Sequence, residues 1–173
     1  QKVDLVDSKK NLETLIKEIE DVVKNSFKEA YDEIDKNFNY MCKEILNNSI
    51  GNLSLLDETD LLESGVELMV KFKNKKYQSL RLLSGGEKSM VAVALIMAIF
   101  MYKPSPFTFF DEIEAALDES NTKRLLRKLK EFTDRSQFIL ITHNKHTMKE
   151  SDQLYGVTMN KEIGESKILS VVL

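Results

Sequence analysis

The chain has 173 residues, 42% hydrophobic and 31% charged, with 25 Lys and Arg against 28 Asp and Glu for a formal net charge of −3. That length suits one core plus an appendage, and the composition excludes a disordered or fibrous chain. The net charge points to no partner, so DNA binding would need a local basic face, while the lone cysteine, Cys42, excludes an intrachain disulfide and a cysteine-rich metal site.

Gln1 opens directly into polar, helix-favouring sequence, which leads us to expect a fragment or a half completed by a partner. From Leu12 onward apolar residues recur at Ile16, Ile19, Val23, Phe27, Ala30, Ile34, Phe38, Met41 and Ile45 in steps of three and four. This pattern predicts one long amphipathic helix, coiled-coil-like in its first half and settling onto a globular surface in its second. An ordinary surface helix is the alternative. Asn47, Asn48, Ser49 and Gly51 break it, and the segments Leu53–Leu56 and Val66–Phe72 read as short strands. Asn74, Lys75 and Lys76 mark a turn into a third segment, Tyr77–Leu82, giving a small antiparallel sheet.

Beyond Ser84 and a glycine pair comes an uncharged helix, Val91–Phe100, apolar on every face and therefore expected to be central. The charge-free run Ser89–Tyr102 falls short of the roughly 20 residues of a membrane span, and no basic leader is present. No membrane span or export signal is expected, and a reducing, cytosolic setting is the default. Pro104 and Pro106 end the helix. Phe107–Phe110 reads as a buried strand stopping at Asp111-Glu112, Ser120–Phe132 as a helix, and Phe138–Ile141 as a second buried strand stopping at Thr142-His143. Strand, helix, strand at this spacing is a βαβ unit with parallel strands and a right-handed crossover. Leu154–Met159 and Lys167–Leu173 read as a hairpin around Asn160 and Gly164.

Ligands of open parallel sheets bind beyond the carboxyl ends of the strands, and both buried strands end there in reactive residues. Adjacent acids suit phosphoryl transfer: Asp111 would hold Mg²⁺ while Glu112 orients and deprotonates water. A helix cap at Asp111 and a structural loop histidine at His143 are the alternatives. Ser84-Gly85-Gly86-Glu87 has capping-box spacing. The cap does not explain two glycines, which strip side chains from backbone N–H groups at a helix N-terminus and so suit a γ-phosphate clamp.

Taken together, Leu83-Ser84-Gly85-Gly86-Glu87-Lys88 resembles the signature motif of ABC-type ATPases in its SMC (structural maintenance of chromosomes) version. Phe107–Glu112 resembles the Walker B strand, Ala116-Leu117-Asp118 the D-loop, and Ile141–Lys145 the switch-histidine loop. Lys103–Phe107 and Gln78-Ser79-Leu80 are also similar to bacterial and archaeal SMC proteins. The resemblance implies an α/β fold, the C-terminal half of an ABC-type ATPase head: a small antiparallel sheet plus a parallel βαβ core, with an N-terminal coiled-coil neck helix over 1–47 and the lobe over 48–173. It implies that Ser84 and the Gly85 and Gly86 amides contact the γ-phosphate of ATP held by an opposite head, with Glu87, Lys88 and Asp118 also among the nucleotide-binding residues. Asp111 would bind Mg²⁺, Glu112 activate water, Asp118 communicate across the dimer and His143 sense the γ-phosphate. Glu114 departs from the Asp of many members.

No G-x-x-x-x-G-K-[ST] phosphate loop occurs in the chain, so this chain alone is expected neither to bind ATP tightly nor to hydrolyse it. The resemblance implies as partners an N-terminal lobe carrying Walker A, a second SMC head, a kleisin subunit and DNA, in a cytoplasmic, nucleoid-associated protein. A transporter ATPase and a repair-type SMC protein are rival readings. A docking platform for kleisin or DNA is a reading of another class, with the C-terminal hairpin edge and the turn bearing Lys71, Lys73, Lys75 and Lys76 as its surfaces.

Overall fold

The computed structural model describes residues 2–57, 59–160 and 164–171, with side chains over 9–57, 59–160 and 164–170. Residues 161–163 and 172–173 of the expected hairpin lie outside the described residues. The chain divides into two compact units, Gln1–Pro104 and Ser105–Leu173.

The first unit opens with α1, Lys2–Ile45. Its apolar residues change role along its length, as the periodicity predicts. Leu12, Leu15, Ile16, Ile19, Val22 and Val23 are exposed, whereas Phe38, Met41, Cys42 and Ile45, on one face one turn apart, are fully buried. Asn47 and Asn48 end the helix in left-handed backbone, φ 52 and 65, which asparagine tolerates better than most residues. The buried end packs on α2 (Gly85–Tyr102) and on β1 (Ile50–Leu55). Side chains of α1 reach the backbone there: Asp35 accepts from Leu53 N–H at 2.5 Å, and Asn39 donates to the Gly51 carbonyl at 3.0 Å.

β1 pairs antiparallel with β2 (Val66–Lys71), which pairs with β3. The expected third strand is only Gln78–Ser79, and Leu80–Leu82 forms a 3₁₀ turn. Ser79 Oγ accepts from Arg81 N–H at 3.4 Å, a local cap that turns the chain out of the ladder. The apolar helix α2 is less central than expected. Val91, Val93, Ala94, Met97, Ala98 and Phe100 are buried, but Ile96, Ile99 and Tyr102 are at least 40% exposed. With 18 residues it is long and apolar enough to cross a membrane by length and composition alone. Its buried positions instead lie in a unit where α1 packs on it. The compact unit thus runs through the expected neck and lobe boundary at residue 47, because the end of α1 belongs to the same core as α2.

In the second unit, β4 (Phe107–Asp111) and β5 (Gln137–Ile141) pair parallel, with Asp111 opposite Ile141. Between them runs α3, Glu119–Glu131, which buries Leu125, Leu126 and Leu129. This is the expected βαβ order. The strands are not buried on both faces, however: Phe110 is 7% exposed, whereas Phe107, Phe109 and Ile141 are each more than half exposed. A two-stranded sheet has a second face that these residues leave open. A short helix, α4 (Lys145–Glu150), follows β5, capped by Asn144, whose side chain accepts from His146 N–H at 2.8 Å. The unit ends in the antiparallel strands β6 (Leu154–Asn160) and β7 (Glu165–Val171).

Candidate functional site

In the first unit, Ser84 is the N-cap of α2, in a complete capping box. Glu87 N–H donates to Ser84 Oγ at 3.4 Å, while Glu87 Oε2 accepts from Ser84 N–H at 3.1 Å and from its hydroxyl at 2.8 Å. Lys75, from the β2–β3 turn, donates to Glu87 Oε1 at 2.6 Å. The lysine first, then the Ser84 hydroxyl and amide, hold the Glu87 carboxyl down at about 2. This commits one lysine of the basic turn to the Ser84–Glu87 capping box, and a second, Lys71, sits 5.7 Å from the centre of the Tyr77 ring. Packing does not demand glycine at 85 or 86. A Cβ at either would meet nothing within 4 Å, and neither has a positive φ. The first turn of an 18-residue helix therefore presents its amides beside open space. Lys88 is exposed on that turn, with its amide donating to the Ser84 carbonyl at 2.9 Å.

In the second unit, the parallel register brings the ends of β4 and β5 side by side, so the residues just beyond them become neighbours. Glu112 and His143 meet: His143 Nδ1 lies 3.2 Å from Glu112 Oε1, both side chains more than half exposed. Glu112 has φ 46, in the left-handed region; the other described non-glycine residues with positive φ are all asparagines. For a residue with a long side chain this conformation costs roughly 1–2 kcal/mol. Backbone bonds on both sides impose it. Glu112 N–H donates to the Ile141 carbonyl, and Ala115 N–H to that of Glu112, each at 2.9 Å.

Asp111, the last residue of β4, is exposed. Among the described residues no group of three or more His, Cys, Asp or Glu could hold one metal ion. A single exposed carboxylate fits Mg²⁺, which keeps water and phosphate oxygens in most of its positions, better than a metal needing an all-protein cage. Asp118 is the N-cap of α3; its Oδ1 accepts from Asn121 N–H at 2.7 Å. Three residues outside the predicted set join this region. Glu114 is buried and accepts from the hydroxyls of Thr142 and Thr147. In the sequence, Glu114 stands out only as an acid where the resembling motif often has Asp, Thr142 as the residue ending the second apolar strand, and Thr147 not at all.

A strained acid facing a histidine across the ends of two parallel strands, with a capped glycine turn elsewhere in the chain, is consistent with a phosphoryl-transfer protein. The model of the RecF/RecN/SMC N-terminal domain matches residues 4–165. The chain belongs to the RecF/RecN/SMC family. This SMC chain is 64% identical over 167 residues to the chromosome partition protein Smc of Fusobacterium nucleatum, a match covering 96% of the chain and 14% of that protein. It superposes on the Smc head domain with an extended coiled coil from Pyrococcus furiosus, bound there to the C-terminal domain of ScpA. The TM-score is 0.82 at 36% identity, over 92% of this chain and 39% of that one. A chain solved in work on ATP-driven dimerization and DNA-stimulated activation of SMC ATPases matches at TM-score 0.77 and 34% identity, over 86% of this chain and 89% of that one. The fold is thus the α/β fold of SMC heads with their coiled coil. The SMC chain spans about one seventh of the length of the curated relatives it matches.

Proposed function

We propose that this chain is the C-terminal lobe of an SMC ATPase head, residues 48–173, with its coiled-coil neck over 1–47. Joined to an N-terminal lobe, it forms head dimers that sandwich ATP and hydrolyse it to organise and segregate chromosomes. The observation that carries the reading is the Glu112–His143 pair, 3.2 Å apart at the ends of two parallel strands, with Glu112 in strained backbone. Strain of this kind persists where the surrounding structure imposes it, and it concentrates at functional sites. The leading helix and the lack of a phosphate loop support the C-terminal assignment, because the missing loop must come from another segment.

In this reading Glu112 is the general base. One carboxylate oxygen is engaged by His143, and the other takes the proton of the attacking water. His143 holds Glu112 and senses the γ-phosphate. Asp111 holds Mg²⁺, which when bound neutralises charge on the phosphates. Ser84, Gly85, Gly86, Glu87 and Lys88 form the turn that meets the γ-phosphate of ATP on an opposite head, with the Gly85 and Gly86 amides as its donors, and Asp118 couples the two heads. A kleisin subunit and DNA complete the assembly in the cytoplasm, at the nucleoid. The exposed stripe of Tyr155, Val157 and Ile168 on β6 and β7 favours a docking role alongside catalysis.

The test is ATP hydrolysis by the purified chain, alone and joined to a lobe carrying a phosphate loop. Activity should arise only in the joined form. Turnover by the chain alone would refute the division of labour.

A further inference from the structure

One side chain bridges the loop after β4 and the loop after β5, and the chemistry above leaves it unused. Glu114 is 5% exposed. Its Oε1 accepts from the hydroxyl of Thr147, itself 2% exposed, at 2.9 Å, and also from the hydroxyl of Thr142. Its Oε2 is buried with no hydrogen-bond partner among the described residues. Thr142 Oγ1 in turn accepts from Asn144 N–H at 2.9 Å. The residues on either side of His143 are therefore anchored, through Thr142, to Glu114. Thr147 anchors the first turns of α4 to the same oxygen.

For stability alone this is a poor arrangement. An apolar side chain of similar volume would fill the space without burying an oxygen that lacks a donor. What the carboxylate adds is direction: two hydroxyls from one loop converge on one atom of the other, so neither loop can slide without breaking a buried bond. Glu114 lies two residues beyond Glu112, and Thr142 directly precedes His143.

We propose that Glu114 is a positioning residue for hydrolysis. It sets the His143 loop against the Glu112 loop and so fixes the distance between the two side chains. This rests on the ATPase reading above.

The experiment uses the full-length protein, with both lobes present. Glu114→Leu should lower kcat by about tenfold to a hundredfold, as expected for a small displacement of catalytic groups. Binding of a fluorescent ATP analogue should stay within about twofold, because only the chemical step is affected. Glu114→Gln, which keeps an acceptor oxygen of the same reach, should stay within about threefold of wild-type kcat. In a His143→Ala background Glu114→Leu should cause no further loss, since its effect passes through that loop. If Glu114→Leu does not fold, Thr147→Val removes one of the two hydroxyls with little change of shape and should lower kcat in the same direction. Wild-type kcat in a folded Glu114→Leu or Thr147→Val protein would overturn the inference, as would an equal loss with and without His143. Either result in an active wild type leaves the ATPase reading standing. An inactive wild-type protein overturns both.

Discussion

Gly51→Ala tests how the long helix is seated on the rest of its unit. A Cβ at this position would lie 2.5 Å from Cys42 Sγ and 2.7 Å from Phe38 Cε1. Both side chains are fully buried, and burial pushes the Cys42 thiol up to about 12, so it stays protonated and acts only as packing. The backbone has little room to retreat. Asn39 holds the Gly51 carbonyl from the helix side at 3.0 Å, and Val70, fully buried, is its partner across the ladder. Ordinary contact distances are roughly 3.5–4 Å, so the sulfur and the ring must each move by about 1 Å. Overpacking of this kind costs roughly 1–3 kcal/mol, and each kcal/mol lowers the midpoint of a chain this size by about 2–4 °C. Thermal unfolding of the head, wild type against Gly51→Ala, reads the loss directly. Repeating the comparison in a Cys42→Ala background removes the sulfur, and the penalty should fall by about half, since the phenyl contact persists. An unchanged midpoint, or the same penalty with and without the sulfur, would refute the close seating of β1 on α1.

Glu112→Gln should slow hydrolysis by roughly 10²–10⁴ while ATP binding persists, so the complemented head should accumulate as an ATP-bound dimer by size-exclusion chromatography. Asp111→Asn should instead impair both Mg²⁺-dependent binding and dimerisation; wild-type turnover by Glu112→Gln would remove Glu112 from the mechanism. Ser84→Arg puts a bulky cation at the capped glycine turn, so nucleotide binding should survive and ATP-dependent dimerisation should vanish; persistent dimers would reduce Ser84 to a helix cap. The Glu87 carboxyl is held at about 2 against an ordinary 4.5. Its contribution to stability is therefore fully present above pH 4.5 and lost as pH falls toward 2. Unfolding free energies at pH 5 and pH 3 should differ less in Lys75→Met than in wild type, by about 1 kcal/mol or less because Lys75 is half exposed. Equal pH dependence in the two proteins would show that Lys75 does not hold the charge.

The long helix and the βαβ order were legible because each rests on a pattern many residues long. Nine apolar positions at helical spacing cannot be satisfied by a strand, and two apolar runs that stop at polar residues define strand ends. What the pattern does not reveal is which surfaces the chain itself covers. Phe107, Phe109, Ile96 and Ile99 read as interior, yet all are exposed, because an apolar run marks a face to be covered without saying by what. The third strand was overextended because one serine side chain diverts the backbone at Ser79. At the candidate site, the order of the motifs singled out Glu112 and His143, the two side chains that meet there. The backbone strain at Glu112 and the burial of Glu114 did not, since both arise only when two loops distant in sequence are brought together by a parallel ladder.

The left-handed backbone at Glu112 sets a direction in which this protein can be improved and ruined at once. Glycine is at ease at φ 46, so Glu112→Gly would relieve the local cost of roughly 1–2 kcal/mol while deleting the carboxylate. A library selected only for survival on heating would be drawn toward that exchange, and toward an apolar residue in place of Glu114. In the proposed ATPase reading, heat resistance would rise in the survivors as turnover disappeared, the usual conflict between a durable fold and a working site. Any programme to harden this head therefore has to hold residues 112 and 114 fixed while the rest of the chain varies.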